Sequence, residues 1–218
     1  MSFNFIHELS FKLFKRTPKA ASFERIRIRI LSKWLLNKNE SCSVIAFTAK
    51  SPREGVSTVV AGLAKSFSSA EVGNILVLDV SDSHHGVARL LDIRKLACFS
   101  DLPGYVTRDE DLNIDVITLA SDYNNNVGVE KHTSSLLEKL RENYKIILID
   151  AGSLNCSTGT YWLVNSDYNV LIIDSSKTTR ESLEYQKKQF ENSDISIDGS
   201  IINKREFPIP NALYWLTR

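Results

Sequence analysis

The first chemistry in this sequence lies at residues 48–58, where a short apolar run is followed by a loop and then a helical pattern. The loop carries Gly55, and Ser57 and Thr58 open the helical pattern. A loop between a strand and a helix can cradle phosphate groups with its backbone N–H groups. In such loops a lysine neutralises the β- and γ-phosphate oxygens, and the next Ser or Thr binds Mg²⁺. The residue before Ser57 is Val56, so this segment has the setting of a phosphate-binding loop without its lysine.

Three acidic residues each end an apolar run. NILVLD ends at Asp79, YKIILID ends at Asp150, and YNVLIID ends at Asp174. A carboxylate at the end of a buried strand costs free energy unless it has a partner, and ligands of α/β proteins bind at the carboxyl ends of the strands. We therefore expect Asp79 and Asp150 to lie on neighbouring strand ends, facing the 51–58 loop.

The rest of the chain alternates apolar runs with helical patterns. Unbroken Val, Ile and Leu runs are typical of strands buried on both faces, so the sequence predicts an α/β fold with a doubly wound, mainly parallel sheet and helices on both faces. The predicted strands cover 43–48, 74–79, 112–119, 144–150, 168–174 and 197–203. The predicted helices cover 3–14, 22–37, 57–69, 132–143 and 179–192, with Thr17-Pro18 breaking the chain between the first two.

Length and charge indicate one domain with a basic segment in front of it. The 218 residues are 43% hydrophobic and 24% charged, as in an ordinary globular domain. Residues 1–40 carry nine Lys or Arg and three Asp or Glu, a net +6, which leaves −5 for the remainder. We predict a basic amphipathic N-terminal arm over residues 1–20 and a P-loop ATPase-like α/β domain over 21–218. The arm either contacts a membrane, an acidic partner or nucleic acid, or is a solvated helix face.

Neither a signal peptide nor an apolar run of transmembrane length is present in the sequence, and the three cysteines lack metal-site spacing. We therefore expect a cytoplasmic protein with reduced cysteines.

The loop resembles that of the bacterial tyrosine kinases (BY-kinases), which belong to the MinD/ParA branch of P-loop ATPases. Their loop reads approximately S-x-x-P-G-E-G-K-S-T. This chain keeps five of those residues, namely Pro52, Glu54, Gly55, Ser57 and Thr58. Arg53 replaces the first glycine and Val56 replaces the lysine. The resemblance extends over about residues 22–204, through the segments ILVLD, YKIILID, VLIIDSSKTTRESL and DGSIINK.

The resemblance implies a nucleotide site and names its residues. The cofactors would be ATP and Mg²⁺, bound weakly or not at all because of the two replacements in the loop. The nucleotide-binding residues would be Arg53, Glu54, Gly55, Val56, Ser57 and Thr58. The catalytic residues would be Asp79 and Asp150, and the metal ligands would be Ser57, Asp79 and Asp150. Ser81 stands where the family has a second acidic residue.

Two further departures bear on the activity that the resemblance implies. Tyr214 is the only tyrosine of a tail in which the kinases carry a cluster, and the ring-forming E-x-x-R-x-x-R pattern ends here in Ile30 instead of Arg. The leading interpretation is a degenerate BY-kinase-like protein, a pseudoenzyme related to protein-tyrosine kinases. It would act as a regulatory or interaction partner in exopolysaccharide or capsule biosynthesis and export.

The family context also implies partners and a location. The partner would be a membrane polysaccharide co-polymerase or another protein of the exopolysaccharide machinery, and the chain would lie in the cytoplasm at the inner membrane. A homo-oligomer stays open, and no specific nucleic acid is expected. Two alternatives remain, an active ATP-dependent protein-tyrosine autokinase of the same pathway and a MinD/ParA-like positioning scaffold at the membrane or nucleoid.

Overall fold

The computed structural model describes residues 17–35, 42–81, 86–92, 97–98, 104–109, 112–119, 129–154 and 157–204. The strands are β1 (Ser43–Ala49), β2 (Ile75–Asp79), β3 (Ala97–Cys98), β4 (Gly104–Asp109), β5 (Ile114–Leu119), β6 (Ile146–Ser153), β7 (Tyr168–Asp174) and β8 (Gly199–Asn203). The helices are α1 (Thr17–Ile30), α2 (Val56–Ser68), α3 (Gly86–Leu91), α4 (Val129–Arg141), α5 (Ser157–Val164) and α6 (Arg180–Asn192). A π-helical turn, Leu31–Leu35, follows α1.

All eight strands form one sheet in the order β3-β4-β5-β2-β6-β1-β7-β8. The six strands from β5 to β8 run parallel, and β4 and β3 add an antiparallel edge. Every residue of β1 and β2 is buried, because both faces of the sheet are covered. The predicted doubly wound, mainly parallel α/β fold is confirmed.

Two apolar clusters fill the space between the sheet and its helices. One holds side chains of α1, α2 and α3, and the other holds side chains of α4, α5 and α6. Alternate residues of β1 divide between them, since Ile45 and Phe47 belong to the first cluster and Val44 and Ala46 to the second. This division is the period-2 alternation of a strand that lies between two helical layers.

Helix α1 differs from its prediction at its first residue. We expected Thr17-Pro18 to break the chain and a helix to begin at residue 22, but α1 begins at Thr17. Proline fits the first helical turn because its missing N–H would have no intrahelical acceptor there. The predicted helix over 3–14 lies outside the described residues.

Four elements escaped the prediction. The antiparallel strands β3 and β4 are short and lie at the sheet edge, and α3 and α5 have only six and eight residues. Helices of six and eight residues are too short to show a hydrophobic period, and β4 (GYVTRD) lacks the unbroken apolar run that marks the parallel strands. Strand β6 also continues to Ser153, past the Asp150 at which the apolar run ends.

Among the helices that the structure describes, none combines the length and the apolarity that crossing a membrane requires.

Candidate functional site

The loop between β1 and α2 lies at the carboxyl edge of the sheet, near its centre. Strand β1 pairs with β6 on one side and with β7 on the other. The loop therefore lies between the end of β6, which carries Asp150, and the end of β7, which carries Asp174. The tertiary structure thus brings two of the three strand-end aspartates to the sides of the loop, as the topology of a parallel sheet requires.

The backbone of this loop has left-handed residues at alternate positions. Arg53 has φ 68° and Gly55 has φ 104°, whereas Glu54 between them is not left-handed. Alternation of right- and left-handed residues turns successive N–H groups to one side, which is the arrangement of an anion-binding nest. Positive φ at alternate residues is one feature of such a nest, and here Arg53 has it at a position that favours glycine.

Gly55 is fixed by its neighbour as well as by its φ. A Cβ at this position would come within 2.2 Å of the Asn203 side-chain nitrogen. The absence of a side chain lets the loop approach β8 closely.

Val56, the first residue of α2, is buried. Its side chain is 7% exposed and belongs to the apolar cluster under α1, α2 and α3. Arg53 is exposed. Position 56 therefore supplies packing to the core and supplies no charge to a phosphate.

Glu54, one of the predicted nucleotide-binding residues, has its carboxylate buried inside the loop. It is 6% exposed, and its Oε1 accepts from Ser51 N at 3.1 Å, while Oε2 has no hydrogen-bond partner among the described residues. Burial raises the pKa of Glu54, and the nearby charge of Asp174 adds to the rise, whereas two backbone N–H groups and Lys204 lower it. The side chain braces the loop from inside through its bond to Ser51 N.

Asp79 and Asp150 are direct partners on the neighbouring strands β2 and β6. Both are fully buried. Asp79 Oδ1 accepts from Ser81 Oγ at 2.7 Å, and Asp79 Oδ2 accepts from Val87 N at 3.2 Å. The structure thus brings the two predicted catalytic aspartates together at one point of the sheet edge. Ser81 hydrogen-bonds to Asp79 through both its backbone N–H and its hydroxyl.

Asp150 is the member of the pair whose carboxylate is incompletely hydrogen-bonded. Its Oδ1 accepts from Gly152 N at 3.0 Å, and its Oδ2 is buried without a hydrogen-bond partner within the described part of the chain. Burial and then the charge of Asp79 raise the pKa of Asp150 from 3.8 to about 7, although the hydroxyl of Ser57 and the N–H of Gly152 act to lower it. At neutral pH this pair therefore needs a proton or a cation.

The donors at this point fit Mg²⁺. Mg²⁺ is commonly bound through one or two carboxylates, with waters and substrate phosphates completing its octahedron. The carboxylates of Asp79 and Asp150 and the Ser57 hydroxyl meet that description. A cation bound there would also compensate the buried Asp150 Oδ2, which has no hydrogen-bond partner among the described residues. In the described ranges no set of three or more His, Cys, Asp or Glu side chains forms a metal site. Ser57 and Thr58 are half-buried in the first turn of α2.

The site includes two residues that the sequence did not single out, Asn203 and Lys204. Asn203 Nδ2 donates to Glu54 O at 2.7 Å, and Lys204 Nζ contacts Arg53 O at 2.5 Å and Asp174 Oδ2 at 2.8 Å. These contacts join segments about 150 residues apart, so only the fold brings them together.

Asp174 differs from the other two strand-end aspartates because it has a cation. Burial acts to raise the pKa of Asp174, but Lys204 and the two donors of Ser176 hold this pKa below its ordinary value. Asp174 is therefore a charged anchor for Lys204.

No protein-family model and no curated protein matches the chain. Solved structures do match. The VpsO kinase domain is 21% identical with a TM-score of 0.61, over 89% of this chain and 100% of that one. The kinase domain of the Escherichia coli tyrosine kinase ETK is 15% identical with a TM-score of 0.67, over 88% and 79%. The MinD cell division protein of Aquifex aeolicus is 14% identical with a TM-score of 0.58, over 81% and 73%. The fold is therefore that of bacterial tyrosine kinase domains and MinD, which are P-loop ATPases.

Proposed function

We propose that this chain is a BY-kinase-like domain with weak or no phosphoryl transfer, and that it acts as a regulatory or interaction partner in exopolysaccharide or capsule biosynthesis and export. One observation carries the proposal. The residue at the position of the phosphate-loop lysine is Val56, and its side chain is buried in the apolar core.

The described cations around the loop support this proposal. Lys50 Nζ donates to Ser182 Oγ, and Lys204 Nζ is held by Asp174. The Arg53 side chain is exposed to solvent. Phosphoryl transfer rests on positioning and on neutralisation of the phosphate charge, so a loop without its lysine loses a large part of both.

The role in polysaccharide export comes from the resemblance in sequence and fold. It implies a membrane polysaccharide co-polymerase, or another protein of that machinery, as the partner, and a position in the cytoplasm at the inner membrane. A domain of this kind would bind its partner with the nucleotide loop as a structural element.

A second candidate is an active protein-tyrosine autokinase. The observation that favours it is the assembled pair of Asp79 and Asp150, with the Ser57 hydroxyl beside Asp150. A site with Mg²⁺ ligands in place would keep some activity if another group neutralised the phosphates.

The first prediction separates the two candidates. The purified chain is incubated with Mg-ATP and probed for phosphotyrosine, and we expect none above a no-nucleotide control. Strong phosphotyrosine that disappears in Asp79→Asn would establish the autokinase instead. A kinase domain with an intact loop lysine, treated in parallel, is the positive control.

The second prediction tests position 56 directly. Val56→Lys combined with Arg53→Gly should tighten Mg-ATP binding by roughly tenfold to a few hundredfold, because a hydrogen bond to a charged group contributes on the order of 1.5–3 kcal/mol. Binding is measured by calorimetry. The matched control is Val56→Met with Arg53→Gly, because a methionine side chain is similar in length to lysine but carries no charge. This control should bind Mg-ATP as the wild type does. Equal affinity of both double variants would mean that the pocket is closed for another reason.

A further inference from the structure

The carboxyl end of β8 holds the nucleotide loop from outside. Asn203 donates to the carbonyl of Glu54, and Lys204 contacts the carbonyl of Arg53, so two successive loop carbonyls are bound by two successive residues. Asn203 is 3% exposed, which shields its bond from water.

Both side chains are themselves held in place. Lys204 has φ 54°, and its backbone N–H donates to Asn203 Oδ1 at 2.8 Å, which turns the amide nitrogen of Asn203 toward the loop. The Lys204 ammonium is held by Asp174 Oδ2, which is fully buried. Asp174 Oδ1 accepts from Ser176 N and Oγ at 3.0 and 2.6 Å. The arrangement is an ordered chain of hydrogen bonds from β7 through β8 to the loop.

The planarity of the peptide bond gives these contacts a consequence. In a trans peptide the C=O of one residue and the N–H of the next point in opposite directions. Fixing the carbonyls of Arg53 and Glu54 toward β8 therefore fixes the N–H groups of Glu54 and Gly55 away from it. Those N–H groups are the ones that the alternating φ values turn to a common side.

We propose that Asn203 and Lys204 are positioning residues that latch the 53–55 loop in its ligand-binding shape, with Asp174 as the anchor of the latch. The effect on affinity rests on the proposed BY-kinase-like function, taken here with weak nucleotide binding, but the latch itself exists without ligand. In a loop that lacks its lysine, affinity depends mainly on the backbone N–H groups, so the order that the latch supplies controls how well the loop binds phosphate.

The test needs two variants, because Lys204→Met leaves the buried Asp174 without a cation and destabilises the whole domain. Asp174→Asn/Lys204→Met removes the buried charge together with the ammonium and should recover global stability. Lys204→Arg keeps the charge. The matched control is Lys177→Met, which removes an exposed lysine from the turn after β7.

The readout is amide exchange by NMR in the ligand-free protein. Ser51 N donates to Glu54 Oε1 and Val59 N donates to Gly55 O, so both amides report on the loop, while the amide of Leu148 in the centre of β6 reports global opening. Exchange at Ser51 and Val59 should accelerate by about tenfold in the Asp174→Asn/Lys204→Met variant, with Leu148 unchanged. Lys177→Met should exchange like the wild type, and Lys204→Arg should lie close to it.

Mg-ADP affinity, measured by calorimetry on the same proteins, should fall about tenfold in the double variant and recover in Lys204→Arg. Unchanged exchange at Ser51 and Val59 in the double variant would overturn the latch. Failure of the wild type to bind Mg-ADP would instead contradict the proposed nucleotide binding, and the exchange rates would still decide the latch.

Discussion

Arg53 has a backbone conformation that favours glycine. It occupies the left-handed region with φ 68°, and its side chain is exposed. A non-glycine residue there costs about 1–2 kcal/mol, and the contact of Lys204 with the Arg53 carbonyl offsets part of that cost. Arg53 therefore strains the loop, whereas the buried Val56 brings no charge to it.

Asp150 makes stability depend on pH. Its pKa is raised from 3.8 to about 7, mainly by burial and then by Asp79, so between these values the folded state keeps a proton that the unfolded state releases. Stability should therefore fall as pH rises through this window and level off above pH 7, by on the order of 2–4 kcal/mol. In urea unfolding at pH 5 and pH 8, Asp150→Asn should remove most of this difference.

Mg²⁺ provides a check on the same pair. A cation between the carboxylates replaces the proton, so millimolar Mg²⁺ should stabilise the wild type more at pH 8 than at pH 5 and should not stabilise Asp150→Asn. An equal pH dependence in wild type and Asp150→Asn would refute the assignment of the shared proton to this pair.

At the scale of elements, helix α1 is an integral layer of the domain. Phe23, Ile26 and Ile30 are buried against α2, and the Phe23 ring lies so close to Gly62 that a Cβ there would come within 2.2 Å of it. Arg27 adds a hydrogen bond to the carbonyl of Ser66 at 2.5 Å. Helix α1 is thus packed against and hydrogen-bonded to α2, the helix that follows the loop after β1.

This packing gives the element-scale prediction. Phe23→Ala should lower the free energy of unfolding by about 3–5 kcal/mol, because it removes a buried ring and leaves a cavity over Gly62. The control is Ile28→Ala on the same helix, whose side chain is 52% exposed and which should change stability by less than about 1 kcal/mol. Urea denaturation measures both. A small loss for Phe23→Ala would show that α1 contributes little to the core.

At the scale of the whole molecule, the sheet order decides which residues share a site. The central strand β1 lies between β6 and β7, and β2 lies beside β6. Asp79, Asp150 and Asp174 therefore end three strands around one loop, although they are distant in sequence. Two of them form a pair that a proton or a cation must balance, and the third is already balanced by Lys204.

The sequence by itself determined the fold class and the centre of the site. Apolar runs that end in aspartate are local patterns typical of a parallel sheet covered on both faces, and the carboxyl ends of such strands lie at one edge. The predicted adjacency of Asp79 and Asp150 is confirmed. That residue 56 is valine and not lysine is likewise plain in the sequence.

Only the tertiary structure decided which partners those residues have. The burial of Val56, the left-handed Arg53 and the start of α1 at Thr17 depend on packing that local patterns do not encode. The contacts of Asn203 and Lys204 with the loop join residues 149 and 151 positions apart. Hydrogen bonds of such separation leave no periodic trace in the sequence, because they arise only when the parallel strands have placed both chain segments at the same edge of the sheet.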